Sequence, residues 1–331
     1  MPYRHVSVMR DEAVSMLNCA PGKTIVDCTL GGAGHAGAIL EKILPGGMLL
    51  GIDQDIKAVE EAQRALSPYA SNIYLVHDNF INLPFILSRI DVGAVDGILA
   101  DLGLSLYQIK SSGRGFTFSE DQPLDMRMNP DSGVTAASIL NAAGQTELEM
   151  IFRNYGEERF SRRIAAKIVE KRRHSEIATT GELVGIITDA IPKASAAKSR
   201  IHPATRVFMA LRIAVNRELE VLDAFLNRAV DLLAPEGRIC IISFHSLEDR
   251  IVKHRFRDMA QKCKCDKDLP VCVCTHKPKL KLVGRKPIRP SEGEVASNPM
   301  SRSAVMRVAE KLPDADATDA AGQQTTAGGY P

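Results

Sequence analysis

Lys23-Thr24-Ile25-Val26-Asp27-Cys28-Thr29-Leu30-Gly31-Gly32-Ala33-Gly34-His35 decides how this chain is read. Residues 23–30 are an apolar, β-branched run that ends in a glycine cluster. Helical periodicity follows from Gly34 to Leu44 and stops at Pro45-Gly46-Gly47. A strand that passes through glycines into a helix is the first half of an α/β unit, and the rhythm repeats. Met48–Asp53 reads as a strand, Asp55–Leu66 as a helix, Asn72–His77 as a strand, Asn82–Ile90 as a short helix and Val95–Leu102 as a fourth strand. Near-continuous apolar strands between helices predict a parallel, doubly wound sheet covered on both faces.

The rhythm breaks after residue 112. No strand pattern is visible from Ser112 to Ala229; helical stretches are expected at Thr146–Tyr155, Glu158–Arg173, Thr180–Ala190 and, as one long helix, Pro203–Leu233. A strand returns at Gly237–Phe244, then a helix at Leu247–Gln261, and Leu280–Arg285 and Ser303–Glu310 look like paired strands. The economical architecture is an α/β, Rossmann-like domain formed by 1–108 and 230–312, with an all-helical domain of 109–229 inserted for substrate recognition. Residues 313–331 are low in complexity and are expected to be a disordered tail. No internal repeat is visible.

The chain has 331 residues, 45% hydrophobic and 25% charged, which excludes wholesale disorder. No apolar run approaches the ~18 residues of a membrane span. The first residues lack the apolar core of an export signal, and seven Cys is an odd number. Both features point to reduced thiols and a cytoplasmic protein away from membranes. The net charge of +2 is a cancellation. Residues 150–217 carry 14 Lys+Arg against 6 Asp+Glu, residues 253–290 carry 12 against 3, and the remainder carries 16 against 31. Two basic segments on an acidic body point to an anionic partner, although basic helix surfaces also occur without one.

Gly32, Gly34 and Gly37 satisfy G-x-G-x-x-G, which lets backbone approach a ligand at a helix N-terminus. A nicotinamide dinucleotide and S-adenosylmethionine compete for such a loop. Asp27, Asp53, Asp78 and Asp101 lie at or just beyond the ends of the four strands, where an open α/β sheet binds its ligand. Acids there repel a pyrophosphate and attract a sulfonium and an α-ammonium. Each such pair is worth roughly 4 kcal/mol at 4 Å and an effective dielectric near 20. Asp53 suits a ribose under either reading, and Asp55 suits the N-cap of the next helix. Phe80 lies where an adenine ring would pack, or is a core residue; His35 either contacts a ligand carboxylate or simply starts the helix.

These residues, taken with longer motifs, carry a resemblance. The motifs are Ala100-Asp101-Leu102-Gly103, Arg114-Gly115-Phe116, Pro123-Leu124-Asp125-Met126-Arg127-Met128, Tyr155-Gly156-Glu157-Glu158, His202-Pro203-Ala204-Thr205-Arg206, Ala210-Leu211-Arg212-Ile213 and Ser243-Phe244-His245-Ser246-Leu247-Glu248-Asp249-Arg250. In order, from about His5 to Lys311, the chain resembles the bacterial RsmH (MraW) family of small-subunit ribosomal RNA cytosine-N4 methyltransferases. The resemblance implies a class I S-adenosylmethionine-dependent methyltransferase sheet. It also implies cofactor contacts at Ala33, Gly34, His35, Asp53, Phe80, Asp101 and Gln108, and 16S ribosomal RNA or the small subunit as partner. Two departures stand out. Ala33 replaces a usual glycine, which is tolerable if its φ is negative. Leu104-Ser105-Leu106-Tyr107-Gln108 replaces a Ser-Ser-Pro-Gln turn.

A cytosine amino group is a poor nucleophile, so catalysis needs orientation and a hydrogen-bond acceptor. Asp101 and, with less weight, Asp125 are the candidate acceptors; Ser243 and His245 are candidates to grip base or phosphate. Asp125 has an alternative as partner of Arg127, and His245 as a helix-start hydrogen bonder. No catalytic residue is assigned. Arg159, Arg162, Arg163, Lys167, Lys171, Arg172 and Arg173, then Lys277, Lys279, Lys281, Arg285, Lys286 and Arg289, are candidate phosphate contacts. Cys263-x-Cys265 and Cys272-x-Cys274 are more tightly spaced than the usual zinc ligands, so no metal is assigned; a thiol-rich loop is the alternative to zinc. An NAD-dependent dehydrogenase and a non-catalytic RNA-binding assembly factor are the competing functions. A monomer and a homodimer both remain open.

Overall fold

The computed structural model describes residues 7–197, 201–265, 271 and 273–313. The residues before 7, Cys272 and almost the whole of the expected tail therefore lie outside the described residues. Seven strands are present: β1 Thr24–Asp27, β2 Met48–Asp53, β3 Ile73–His77, β4 Val95–Asp101, β5 Leu233–Ser243, β6 Leu280–Leu282 and β7 Val305–Lys311. They form one sheet in the order β3-β2-β1-β4-β5-β7-β6. The first five are mutually parallel, and β7 runs antiparallel to both β5 and β6. An all-parallel dinucleotide sheet has the order 3-2-1-4-5-6. The antiparallel β7, wedged between β5 and β6, makes this the expected class I methyltransferase sheet instead.

The chain folds as two compact units, Met1–Gly103 with Leu222–Pro331, and Leu104–Val221. These limits fall short of the expected 108/109 and 229/230. A helix break lies near the second limit. The long helix expected over 203–233 is two helices, Ala204–Asn216 and Glu218–Ala229, separated at Arg217, whose φ of 50° is left-handed. Beyond the break, Leu222, Phe225, Leu226 and Ala229 are buried, and the Phe225 ring meets Phe80 edge-on at 4.9 Å. This apolar face belongs to the sheet unit.

The sheet unit's core contains Ile25, Leu49, Leu99, Cys240, Ile242 and Met306 from the strands, with Ile39, Leu40 and Ile43 from the helix Gly34–Ile43. A helix at Arg10–Met16 adds to the expected elements; Met9, Ala13 and Leu17 recur at four-residue spacing and are completely buried. The other unit contains helices but no strand among its described residues, only an isolated bridge between Pro123 and Thr179. Its core gathers Leu124, Met126, Leu140, Leu148, Phe152, Ile164, Ile168, Leu183, Ile187 and Leu211.

Candidate functional site

Parallel pairing of β1, β2 and β4 brings their C-terminal ends to one edge of the sheet, and each ends in an aspartate. The three carboxylates are handled differently. Asp53 accepts the Gly31 amide on Oδ2 at 3.0 Å and the Asp55 amide on Oδ1 at 2.9 Å. Asp27 is completely buried; Oδ1 accepts the Thr29 amide at 3.1 Å, and Oδ2 is enclosed without a hydrogen-bond partner among the described residues. Asp101 is fixed through its backbone, which donates to Thr29 Oγ1 at 2.7 Å, while its Oδ1 is likewise enclosed and unpartnered among the described residues.

An anion deprived of water without a compensating charge holds its proton more tightly. Burial pushes Asp27 up to about 7, against the opposing pull of the Thr29 amide, and the Asp53 charge adds to the rise. Burial pushes Asp53 up to about 6, its two backbone hydrogen bonds limiting the shift. Asp101 is raised well above the usual carboxylate range by burial first, then by the charges of Asp27, Glu248 and Glu294. The sheet unit thus concentrates carboxylates where burial leaves them short of compensating charge.

Next to these acids starts the helix Gly34–Ile43. Its first amides have no intrahelical acceptor, as in any helix, and the N-cap residue Ala33 provides no side-chain cap. Ala33 has φ 59°, so the condition under which an alanine fits easily is not met: it occupies a left-handed position that favours glycine. Gly34 makes room for Ser7. A Cβ there would lie 2.1 Å from Ser7 Oγ. His35 is buried; its Nε2 donates to the Val8 carbonyl at 3.0 Å, which leaves Nδ1 unprotonated in the neutral ring, 3.7 Å from Asp101 Oδ2. The imidazole is thereby committed to protein groups, and a ligand carboxylate would be met by the backbone of the first turn.

Phe80 is 9% exposed and packs on Phe225, so it contributes to the core. Asp55 caps the helix Ile56–Ala65 by accepting the Lys57 amide at 3.1 Å. Asp78, just beyond β3, accepts from the Asn79 amide and the Asn82 side chain, each at 2.7 Å. Gln108 belongs to the helical unit, where its side chain closes a capping box with Ser105. That box replaces the turn that the altered sequence put in question.

The other candidates divide sharply. Ser243 is buried at the end of β5. His245 caps the helix Ser246–Ala260, with Glu248 Oε2 accepting the Phe244 and His245 amides in return. Asp125 takes a two-pronged ion pair from Arg127, at 2.9 and 2.7 Å, and the Arg127 charge and hydrogen bonds hold its carboxyl below the usual range despite opposing burial. Each residue thus makes the structural contact named as its alternative. Among the basic residues, Arg159, Arg162, Arg163, Lys167, Lys171 and Arg173 are exposed, whereas Arg172 is half-buried and donates to the Leu140 and Ala143 carbonyls, each at 2.7 Å. Arg172 is thus a helix-end cap, not a free phosphate contact. Lys281, Arg285, Lys286 and Arg289 are exposed, with Lys281 paired to Glu310 at 2.6 Å.

Sequence reading missed Thr29, Ser7 and Glu294. Thr29 ties the β1 loop to Asp101, Ser7 covers Gly34, and Glu294 accepts the Met9 amide at 2.7 Å while adding to the field on Asp101. Thr29 was legible in principle as a hydroxyl beside an acid. Ser7 and Glu294 act through contacts between distant parts of the chain and left no local signal.

Chemically, the acids and the helix start suit a ligand that combines positive charge, hydroxyls and a carboxylate. They do not suit a pyrophosphate. Comparison with known proteins agrees. The MraW methylase family matches residues 2–312. A Desulfosudis oleivorans protein named ribosomal RNA small subunit methyltransferase H is 52% identical over 312 residues, covering 94% of this chain and all of that protein. Proteins of the same name from Desulforapulum autotrophicum and Syntrophotalea carbinolica are 52% and 49% identical, each over 94% of this chain and over 100% and 98% of their own lengths. The chain, with a carboxylate at the end of each of three adjacent parallel strands and a family match along nearly its whole length, belongs to the MraW methylase family.

Proposed function

We propose that this protein transfers a methyl group from S-adenosylmethionine to the exocyclic N4 of a cytidine in 16S ribosomal RNA of the small subunit, in the cytoplasm. The observation that carries the cofactor reading is the pair of enclosed, unpartnered oxygens on Asp27 and Asp101 beside the uncapped helix start at Gly34. S-adenosylmethionine, when bound, supplies an electrophilic methyl on a sulfonium. Asp27 and Asp101 meet the positive charge that burial has left them lacking. Asp53 keeps lone pairs for ribose hydroxyls on oxygens already oriented by two backbone amides. Ala33, Gly34 and His35 present the first-turn backbone to the carboxylate, and Phe80 borders the adenine.

Asp101 is the acceptor for the amino group. Accepting a hydrogen bond there localises the nitrogen lone pair that the ring otherwise withdraws, and aligns it for in-line attack. Its proton affinity is high without ligand, and a bound cation shifts it toward the carboxylate it needs to be. The base must leave its stack to reach such a site. The exposed arginines and lysines of residues 159–173 and 277–289 contact phosphate, with the helical unit serving substrate recognition.

The test is methyl transfer from labelled S-adenosylmethionine to small subunits of a strain lacking its own enzyme, read as N4-methylcytidine by nucleoside mass spectrometry. Label in N4-methylcytidine is the expected result. Label in another nucleoside, or none in the presence of demonstrated cofactor binding, overturns the proposal.

A further inference from the structure

The connection from the helix Ser246–Ala260 to β6 has no regular secondary structure among its described residues, and its base is pinned by the Lys279 amide on the Met259 carbonyl at 2.8 Å. A long loop of this kind needs something to hold it. Its apolar residues do not: Val271 and Val273 are 70% and 75% exposed. Its described cysteines turn inward. Lys262 and Lys264 are exposed while Cys263 and Cys265 are half-buried, and Val273 is exposed while Cys274 is half-buried. Exposure alternates from Lys262 to Cys265, which puts the Cys263 and Cys265 side chains on the less exposed side.

The sulfurs of Cys263, Cys265 and Cys274 lie within 4.8 Å of one another. Cys263 and Cys274 are 3.8 Å apart, far beyond the ~2.05 Å of a disulfide. A tetrahedral zinc ion with Zn–S bonds of about 2.3 Å sets its thiolates about 3.8 Å apart. A disulfide can join only two sulfurs; three within 4.8 Å of one another, with one pair at 3.8 Å, match an ion. Backbone amides also point at the sulfurs, Cys265 N–H to Cys263 Sγ and Val273 N–H to Cys265 Sγ, both at 3.3 Å. The exposed Lys262 and Lys264 flank the same sulfurs with positive charge.

We infer that Cys263, Cys265 and Cys274 form a zinc site that cross-links the basic loop between residues 261 and 279. The sulfur geometry reverses the expectation drawn from spacing alone. Zinc binds without redox change: each thiol releases its proton to solvent as its S–Zn bond forms, and the fourth position goes to another donor or water. The site is separate from the strand-end carboxylates and does not depend on the methyltransferase assignment.

The full chain, purified under reducing conditions without chelator, is expected to hold about one zinc per chain by elemental analysis. Cys263→Ser and Cys274→Ser each lose it, while Cys19→Ser keeps it. Cobalt reconstitution is expected to give thiolate-to-cobalt charge-transfer bands, absent from the two loop variants. Because those variants could lose metal by misfolding, alkylation is read on the unaltered chain: removing zinc with a chelator should speed modification of these three cysteines at least tenfold. Zinc below a tenth of an equivalent after reconstitution, retention in both loop variants, or alkylation indifferent to the chelator each overturns the site.

Discussion

Replacing Asp27 by Asn tests whether the strand-end acids are held at a cost to the fold. Asp27 is completely buried, and its pKa rises from 3.8 to about 7. At pH 8 the side chain is ionised in both states, and a shift of about three units makes the folded anion about 4 kcal/mol less favourable than the unfolded one. Asn removes the charge, keeps the shape and still accepts the Thr29 amide through its carbonyl. It places an amide where Oδ2 now lacks a partner, which costs about 1–3 kcal/mol. The variant is therefore expected to be more stable than the natural protein by about 1–3 kcal/mol at pH 8.

The sign of the pH dependence follows from proton counts. Between pH 3.8 and about 7 the folded state binds the proton that the unfolded state has lost, so stability from this group rises as pH falls through that window. The natural protein recovers about 1.4 kcal/mol per pH unit there and the variant recovers none. By pH 5 the natural protein has recovered about 2.7 kcal/mol, so the advantage of Asn should have vanished or reversed by up to about 2 kcal/mol. Urea unfolding at pH 5, 6, 7 and 8 measures this, followed by circular dichroism because the chain has no Trp. Stability curves for the two proteins that run parallel across the range would refute the assignment of a raised Asp27.

Other consequences are open to measurement. S-adenosylmethionine affinity should rise with pH through about 6 to 7, as Asp53 and Asp27 lose their protons, and calorimetry showing no proton release on binding would contradict it. Asp101→Asn should cut methyl transfer at least a hundredfold; activity within twofold of the natural protein would remove Asp101 from the mechanism. Gly34→Ala drives a Cβ to 2.1 Å from Ser7 Oγ and should weaken cofactor binding at least tenfold, and adding Ser7→Ala, which leaves only a 3.3 Å contact, should restore part of it. If the double variant binds no better than Gly34→Ala alone, Ser7 is not the obstacle. Arg162→Ala with Arg163→Ala should weaken small-subunit binding and lower its salt slope by about two; an unchanged slope would take that helix off the RNA.

Much of the sheet was legible because apolar runs with sharp ends have few alternatives. Met48–Asp53 and Thr180–Ala190 fall where their patterns put them. β5 was harder. It begins at Leu233, not 237, because Ala-Pro-Glu-Gly reads as a turn, yet the strand accommodates it through a register shift between Val95 and Gly97 and a left-handed Glu236 at φ 65°. The helix break at Arg217 was invisible for the opposite reason. Helical periodicity continues across it, and nothing in Asn-Arg-Glu marks a non-glycine residue as left-handed. In the site, acids at strand ends were legible because topology alone decides where strand ends lie. Their unequal solvation was not, since it depends on packing and on charges from distant parts of the chain, such as Glu294 beside Asp101.

The motifs that carried the family resemblance and the residues that carry the chemistry are largely different sets. In Pro123–Met128, Leu124, Met126 and Met128 alternate inward while Asp125 and Arg127 pair outside, and Asn216 holds the segment through the Met128 amide and the Met126 carbonyl, both at 2.8 Å. In Ser243–Arg250, His245 and Glu248 box the helix start, and Asp249 takes Arg307 from β7 in a two-pronged pair at 2.7 and 3.0 Å. These stretches are distinctive because a cap, a core contact and a long-range ion pair are required in a few consecutive residues, so nearly every side chain is constrained. A binding acid has a looser local sequence, since it needs only a strand end and a dry neighbourhood. Long motifs therefore identified the family, whereas the isolated aspartates closing β1, β2 and β4, unexceptional one at a time, supply the field that a cationic methyl donor requires.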